Sequence, residues 1–153
     1  MLKIYNLKDK PEYIEEVAIL TQKEWGNQVY PSKEFNNKVT KKIEKIKLNF
    51  SNPYYCKLIL LNDSTLIGFI SIFQYDIDNR YDLSPCYSTM FIKEEYRNRG
   101  YSKILNSAIL KEARNRDFKK IYLKTSLSNY YEKFGAKYLE DLNDNEKIYY
   151  FEL

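Results

Sequence analysis

Histidine is absent from all 153 residues, and no other feature of the composition excludes as much chemistry. Without it there is no Ser-His-Asp or Cys-His nucleophile arrangement, and the commonest zinc ligand is missing. There is also no side chain whose ordinary pKa lies near neutrality. Acid and base work falls to Tyr, Asp, Glu, Lys or water. Cysteine is scarce: Cys56 and Cys86 show no CxxC spacing and no His or Asp cluster beside them, and they read as buried, reduced thiols on separate strands. No metal site is expected. The opening run MLKIYNLKDK lacks a secretory apolar core, and no apolar stretch approaches the ~18 residues a bilayer span needs. A soluble, cytoplasmic protein without a membrane partner is the expectation. With no linker, repeat or low-complexity tract, residues 1–153 are expected to form one domain around one core.

The chain does have a globular balance, with 44% hydrophobic and 30% charged residues, 16 tyrosines and a net charge of +4. Lys33, Lys38, Lys41, Lys42, Lys45 and Lys47 crowd one segment, a density that could attract nucleic acid. Phe35, Val39, Ile43, Ile46 and Phe50 recur through it at helical spacing, so the lysines fall largely on the solvated face of an amphipathic helix, and no nucleic-acid partner is expected.

A coarse reading places a strand at Leu2 to Asn6, a helix begun by Pro11 and ended near Trp25-Gly26, and a second helix from Ser32, its N-cap, to Phe50. Tyr55 to Leu61 and Leu66 to Tyr75 form an antiparallel hairpin across Asn62-Asp63-Ser64-Thr65. An acidic loop, Asp76 to Ser84, leads to a strand at Pro85 to Ile92. An amphipathic helix then buries Ile104, Leu105, Ala108 and Ile109, and a strand at Lys120 to Thr125 completes a parallel crossover. A brief helix around Asn129 to Gly135 precedes strands near Ala136 to Leu139 and Lys147 to Phe151.

Between strand and helix in that crossover stands the hexad Arg97-Asn98-Arg99-Gly100-Tyr101-Ser102. It puts a glycine turn at a helix N-terminus, where free N–H groups and the positive end of the helix dipole converge, an arrangement that binds phosphate. No Lys-Ser or Lys-Thr pair follows the glycine, so a Walker loop is excluded, and the G-x-G-x-x-G spacing of a dinucleotide fold is missing. A metal-free cradle for a diphosphate remains, with Arg97 and Arg99 adding charge.

These residues resemble the signature of the GCN5-related N-acetyltransferases (GNAT): Arg or Gln, two residues, Gly, one residue, then Gly or Ala. Here it reads Arg97, Gly100 and Ser102, after the strand Met90-Phe91-Ile92 and Tyr96. Downstream, Tyr130-Tyr131-Glu132-Lys133-Phe134-Gly135 is similar to the family's aromatic-Tyr-Glu-Lys-x-Gly helix. Together the two motifs extend the resemblance over most of residues 55 to 139. Ser102 departs from the usual Gly or Ala, and Ser126-Leu127-Ser128 lacks the family's Asn-x-x-Ala spacer.

The resemblance implies a single-domain, mixed α/β fold: a twisted, mostly antiparallel sheet of six to seven strands flanked by about four helices, with two parallel strands splayed at the cofactor site. It implies acetyl-coenzyme A as co-substrate, with its pyrophosphate on Arg97 to Ser102 and its pantetheine arm paired with backbone groups of Met90 and Ile92, Phe91 between them counting among the coenzyme-binding residues. Further coenzyme contacts come from Asn129 and Phe134. An N–H near Ile92 would polarise the thioester carbonyl. Tyr131 takes the position of a proton donor to the departing thiolate; a phenol at ~10 and a thiolate at ~8.5 differ by about 1.5 units, or roughly 2 kcal/mol.

The acceptor amine must lose a proton, and Asp76, Asp78, Asp82 and Glu24 are the candidate bases. Asp82, nearest the following strand, is the one selected. Glu24, Trp25 and Tyr30 are expected to line the acceptor pocket. The carboxylates favour a cationic acceptor: a small amine, a polyamine or a basic peptide. The chain is thus read as an N-acetyltransferase working by direct attack, as a monomer or homodimer. A non-catalytic acyl-coenzyme A sensor is the alternative.

Overall fold

A computed structural model describes every residue from Met1 to Leu153. Seven strands form one sheet in the order β1-β2-β3-β4-β5-β7-β6: β1 (Leu2–Asn6), β2 (Cys56–Asn62), β3 (Thr65–Phe73), β4 (Cys86–Ile92), β5 (Lys120–Thr125), β6 (Lys137–Asp141) and β7 (Lys147–Glu152). Every neighbouring pair is antiparallel except β4 and β5, which are parallel and joined at a single register position, Cys86 with Tyr122. Past that point the two strands diverge.

Three α-helices cover the sheet: α1 (Ile14–Trp25), α2 (Lys33–Asn49) and α3 (Tyr101–Asn115). The expected fourth is a single 3-10 turn, Tyr131–Phe134, and Pro11–Tyr13 is likewise 3-10 rather than the first turn of α1. Ser32 caps α2 as its sequence position predicts, its hydroxyl accepting from the Phe35 N–H at 3.0 Å and satisfying one of the free first-turn donors.

Both faces of the sheet are apolar, so each buries a separate cluster. On one side Ile59, Leu61, Phe69 and Phe91 meet Val17 and Ala18 of α1 and Phe35, Val39 and Ile46 of α2. On the other, Leu58, Leu60, Ile70 and Tyr87 meet Leu105, Ile109 and Ala113 of α3. The strand period of two thus sorts alternate residues of β2 to opposite layers. In α3 the inward stripe runs through Leu105, Ile109 and Ala113, at i, i+4 and i+8. That phase turns Ile104, expected inside, outward to 39% exposure. Cys56 and Cys86 are buried and unpaired. No helix is long and apolar enough to cross a membrane.

Candidate active site

The divergence of β4 from β5 opens a cleft of about 820 Å³ that passes through the sheet. Tyr87, Leu123 and Tyr131 line it from the α3 side. Trp25 and Glu24 at the end of α1, together with Lys42 and Lys45 of α2, line it from the other.

Strand β4 is irregular where it borders this gap. Thr89 has φ +50°, and the register with β3 slips between Phe69, opposite Phe91, and Ser71, opposite Ser88, the mark of a β-bulge. The Thr89 and Ser71 hydroxyls share a 2.6 Å hydrogen bond that pins it. Beyond the bulge the Lys93 N–H donates to Ile67 of β3 at 2.9 Å. Alternation along the strand therefore sends the Ile92 N–H and C=O away from β3, toward the gap. Met90 lines the cleft. Phe91 does not: it is 8% exposed and packs against Phe69 and Trp25, with centroids at 5.2 and 6.3 Å. Its backbone pairs with Phe69 of β3, so neither its side chain nor its backbone faces the gap, which corrects the expectation of Phe91 as a coenzyme contact.

The hexad follows β4. Asn98 and Gly100 both adopt left-handed conformations, φ +64° and +80°, and Gly100 is the N-cap of α3 with no side chain closing the helix. The first-turn N–H groups of Tyr101 and Ser102 are thus left pointing out at the dipole's positive end. A Cβ built on Gly100 would have no heavy atom within 4 Å, so the turn faces open space. The Arg97 Nε donates to the Ile92 carbonyl at 2.9 Å, which ties the cradle to the gap, and Arg99 lies 5.8 Å over the Tyr96 ring. Donor set, positive charge and open space suit a diphosphate with an amide arm running along β4.

Tyr131 meets Tyr87 edge to face at 5.7 Å and Tyr130 at 4.9 Å. Burial first, and Tyr130 second, push its hydroxyl up to about 12, so it stays protonated throughout the neutral range. Tyr87 donates to Asn106 Oδ1 at 2.8 Å in the core and holds the ring that Tyr131 packs on. Phe134 packs under the α3 layer and against Tyr130. Asn129, exposed at φ +60°, lies outside the cleft lining.

The acidic loop divides in two. Ile77 and Leu83 are buried, with Ile148 beside them, and these anchors decide which carboxylates face in. Asp82 faces out: it pairs with Arg80 at 3.0 Å, that bond holds its carboxyl below the usual range, and it does not line the cleft. The expectation of Asp82 as base is corrected on that geometry. Asp76 lines the cleft instead, accepts a 3.0 Å bond from Ser88 of β4, and is raised above the usual carboxylate range by burial. Tyr30 is also displaced, packing on Phe35 at 4.7 Å beneath the Lys23 ammonium.

Two cleft residues were not anticipated. Lys57 is 3% exposed, on the floor of the cleft between α2 and the sheet. Tyr55 lines the same wall. The available signal was Lys57 itself, a single charge inside the run Cys56 to Leu61, where each neighbour is apolar. Lys42 and Lys45 also line the cleft rather than the fully solvated side of α2.

The fold and this site define an acyl-transfer protein, and comparison with known proteins gives the class. The model of the acetyltransferase (GNAT) family matches residues 13–136, so the chain belongs to that family. It is an acetyltransferase that uses acetyl-coenzyme A. The match reaches back through α1 and α2, beyond the segment that carries the sequence motifs. Among solved structures, the PaiA N-acetyltransferase of Thermoplasma acidophilum aligns over 100% of this chain and 99% of its own, with 23% identity and a TM-score of 0.68. GNAT acetyltransferases of Staphylococcus aureus (19%, 100% and 99%, TM-score 0.68) and Streptococcus pneumoniae (13%, 100% of both chains, TM-score 0.71) align equally fully. At these identities the likeness is one of fold. No curated protein matches the sequence.

Proposed function

We propose that the protein acetylates a primary amine by direct attack on the bound thioester in a ternary complex. The observation that carries this reading is the cleft through the sheet, with Tyr131 on the α3 side and Asp76, Glu24 and Trp25 facing the opposite opening. Two substrates entering from opposite faces meet at the β4 bulge.

Acetyl-coenzyme A supplies the activated acyl group. The N–H groups at the start of α3, with Arg97 and Arg99, hold its pyrophosphate, and the free edge of β4 at Met90 and Ile92 aligns the amide arm. The Thermoplasma relative was crystallised with coenzyme A, which supports this placement. A gap-facing N–H of β4 beside the bulge polarises the thioester carbonyl as charge develops on its oxygen. Asp76 orients the incoming ammonium and accepts its proton through water. Tyr131 donates its proton to the leaving sulfur. At about 12 its hydroxyl stands about 3.5 units above an aqueous thiol, nominally some 5 kcal/mol. The same dry surroundings raise the basicity of a thiolate formed beside it, which narrows that gap.

The test is release of free thiol from acetyl-coenzyme A in the presence of an amine panel. Tyr131→Phe is expected to lower kcat about a hundredfold or more with unchanged affinity for coenzyme A. Intact coenzyme binding with no thiol released for any amine would identify a sensor instead.

A further inference from the structure

Charge in the cleft is segregated. Asp76 and Glu146 stand with Lys124 along the β4–β5 side, and Glu24 stands at the end of α1. Lys42, Lys45 and Lys57 gather where α2 crosses β2. Ion pairs elsewhere engage Arg80, Lys93, Arg116 and Lys137, but none engages these three lysines.

Lys57 is the informative member. It shares a face of β2 with the fully buried Ile59, and an ammonium there without a carboxylate is costly. Burial first, then repulsion from Lys42, lowers it to about 7. What it has instead are two ring faces, Phe69 at 5.3 Å and Phe73 at 5.4 Å, which favour the charged form. Tyr55 stacks on the same Phe73 ring at 5.8 Å, and its hydroxyl is the one buried side-chain polar atom in the protein with no hydrogen-bond partner, on a residue only 6% exposed. Three basic side chains, none paired with a carboxylate, and an orphaned phenol able to donate thus line one part of the cleft.

Resting on the amine-acetylating role above, we propose that this end of the cleft is an anion subsite and that the acceptor is a small primary amine carrying a carboxylate or phosphate. The anionic end lies against Lys57, Lys42, Lys45 and the Tyr55 hydroxyl; the amine lies toward Asp76. Register sets the span. Lys57 is opposite Ser71, Ser71 is opposite Ser88, and Ser88 holds Asp76. The two subsites are therefore two strand spacings apart, about 10 Å before the side chains reach inward. An acceptor with several bonds between amine and anion fits better than an α-amino acid.

Matched pairs test this: ω-amino acids from β-alanine to 6-aminohexanoate against alkylamines of equal length, and phosphoethanolamine against ethanolamine. The anionic member is expected to show kcat/KM at least roughly tenfold higher, and the two arms separate carboxylate from phosphate. Lys57→Met is expected to erase that preference by raising KM for the anionic member alone; Lys42→Gln weakens it with the core intact. Equal or better use of the alkylamine overturns the inference, as does a fall in kcat shared by both members, which would make Lys57 a base. If no amine is acetylated, the proposed function fails, and calorimetry of 6-aminohexanoate and phosphoethanolamine with the coenzyme A complex decides the subsite. Binding lost in Lys57→Met upholds it; no binding overturns it.

Discussion

Replacing Lys57 with Met keeps most of the length of the side chain and removes its charge, and the consequence is a change in how stability depends on pH. Burial and the neighbouring Lys42 bring this ammonium from an ordinary value of 10.5 down to about 7 in the folded protein. Between those values the unfolded chain holds a proton that the native protein has released, so this group makes native stability rise with pH through the window. Below about pH 7 both states are protonated and the whole cost of the buried charge is present. A shift of about 3.5 units corresponds to about 5 kcal/mol across the full window, of which about 2 kcal/mol falls between about pH 6 and about pH 8.5. Met has no proton to release. The variant is therefore expected to be the more stable protein at pH 6, and its advantage should shrink by about 2 kcal/mol by pH 8.5. Urea unfolding of both proteins at the two pH values measures this. Burial raises the Cys56 and Cys86 thiols to about 12, so both stay protonated in the native state of either protein across this window and drop out of the difference. Curves that stay parallel across the window would refute the assignment of Lys57 as a buried, unpaired ammonium.

Gly100→Val forces a branched side chain into φ +80° and projects it into the open space in front of the α3 N-terminus. It should cost about 1–2 kcal/mol in folding and, more diagnostically, weaken coenzyme A binding measured by calorimetry. Asp76→Asn should lower kcat for amine acetylation and remove the acid limb of its pH profile, a limb lying above the usual carboxylate range because burial raises Asp76. Asp82→Asn, which breaks only a surface ion pair, should leave kcat within about twofold. Gly68→Ala places a Cβ 2.3 Å from the Phe91 carbonyl and 2.8 Å from Ile92 Cδ1. Strand β4 must shift, and a loss of about 1–3 kcal/mol in chemical denaturation should accompany reduced activity.

Much of the architecture follows from local pattern. The continuous apolar runs at Cys56–Asn62 and Thr65–Phe73, the Ser32 cap with its i, i+4 stripe, and the crossover from β4 through α3 to β5 are each carried by a few neighbouring residues. The hexad is legible for the same reason, since a helix N-terminus with a left-handed glycine is made by contiguous chain. The motif Tyr130 to Gly135 is likewise local, and its turn is 3-10 rather than a longer helix.

The acceptor side was not legible, because it is assembled from distant segments whose facing depends on packing. Asp76, Asp78 and Asp82 are alike in sequence, and only the burial of Ile77 and Leu83 turns the first toward the cleft and leaves Asp82 to Arg80. Phe91, adjacent to the gap in sequence, is sent to the opposite layer by strand alternation, and Tyr30 is drawn away onto Phe35. The sequence alone determined the family, the acyl donor and the glycine turn that opens α3, since these rest on short stretches whose backbone geometry is locally encoded. Tertiary structure decided how far β4 and β5 part, which carboxylate faces inward, and that Lys57 is buried without a partner. Each of these depends on residues brought together across the sheet.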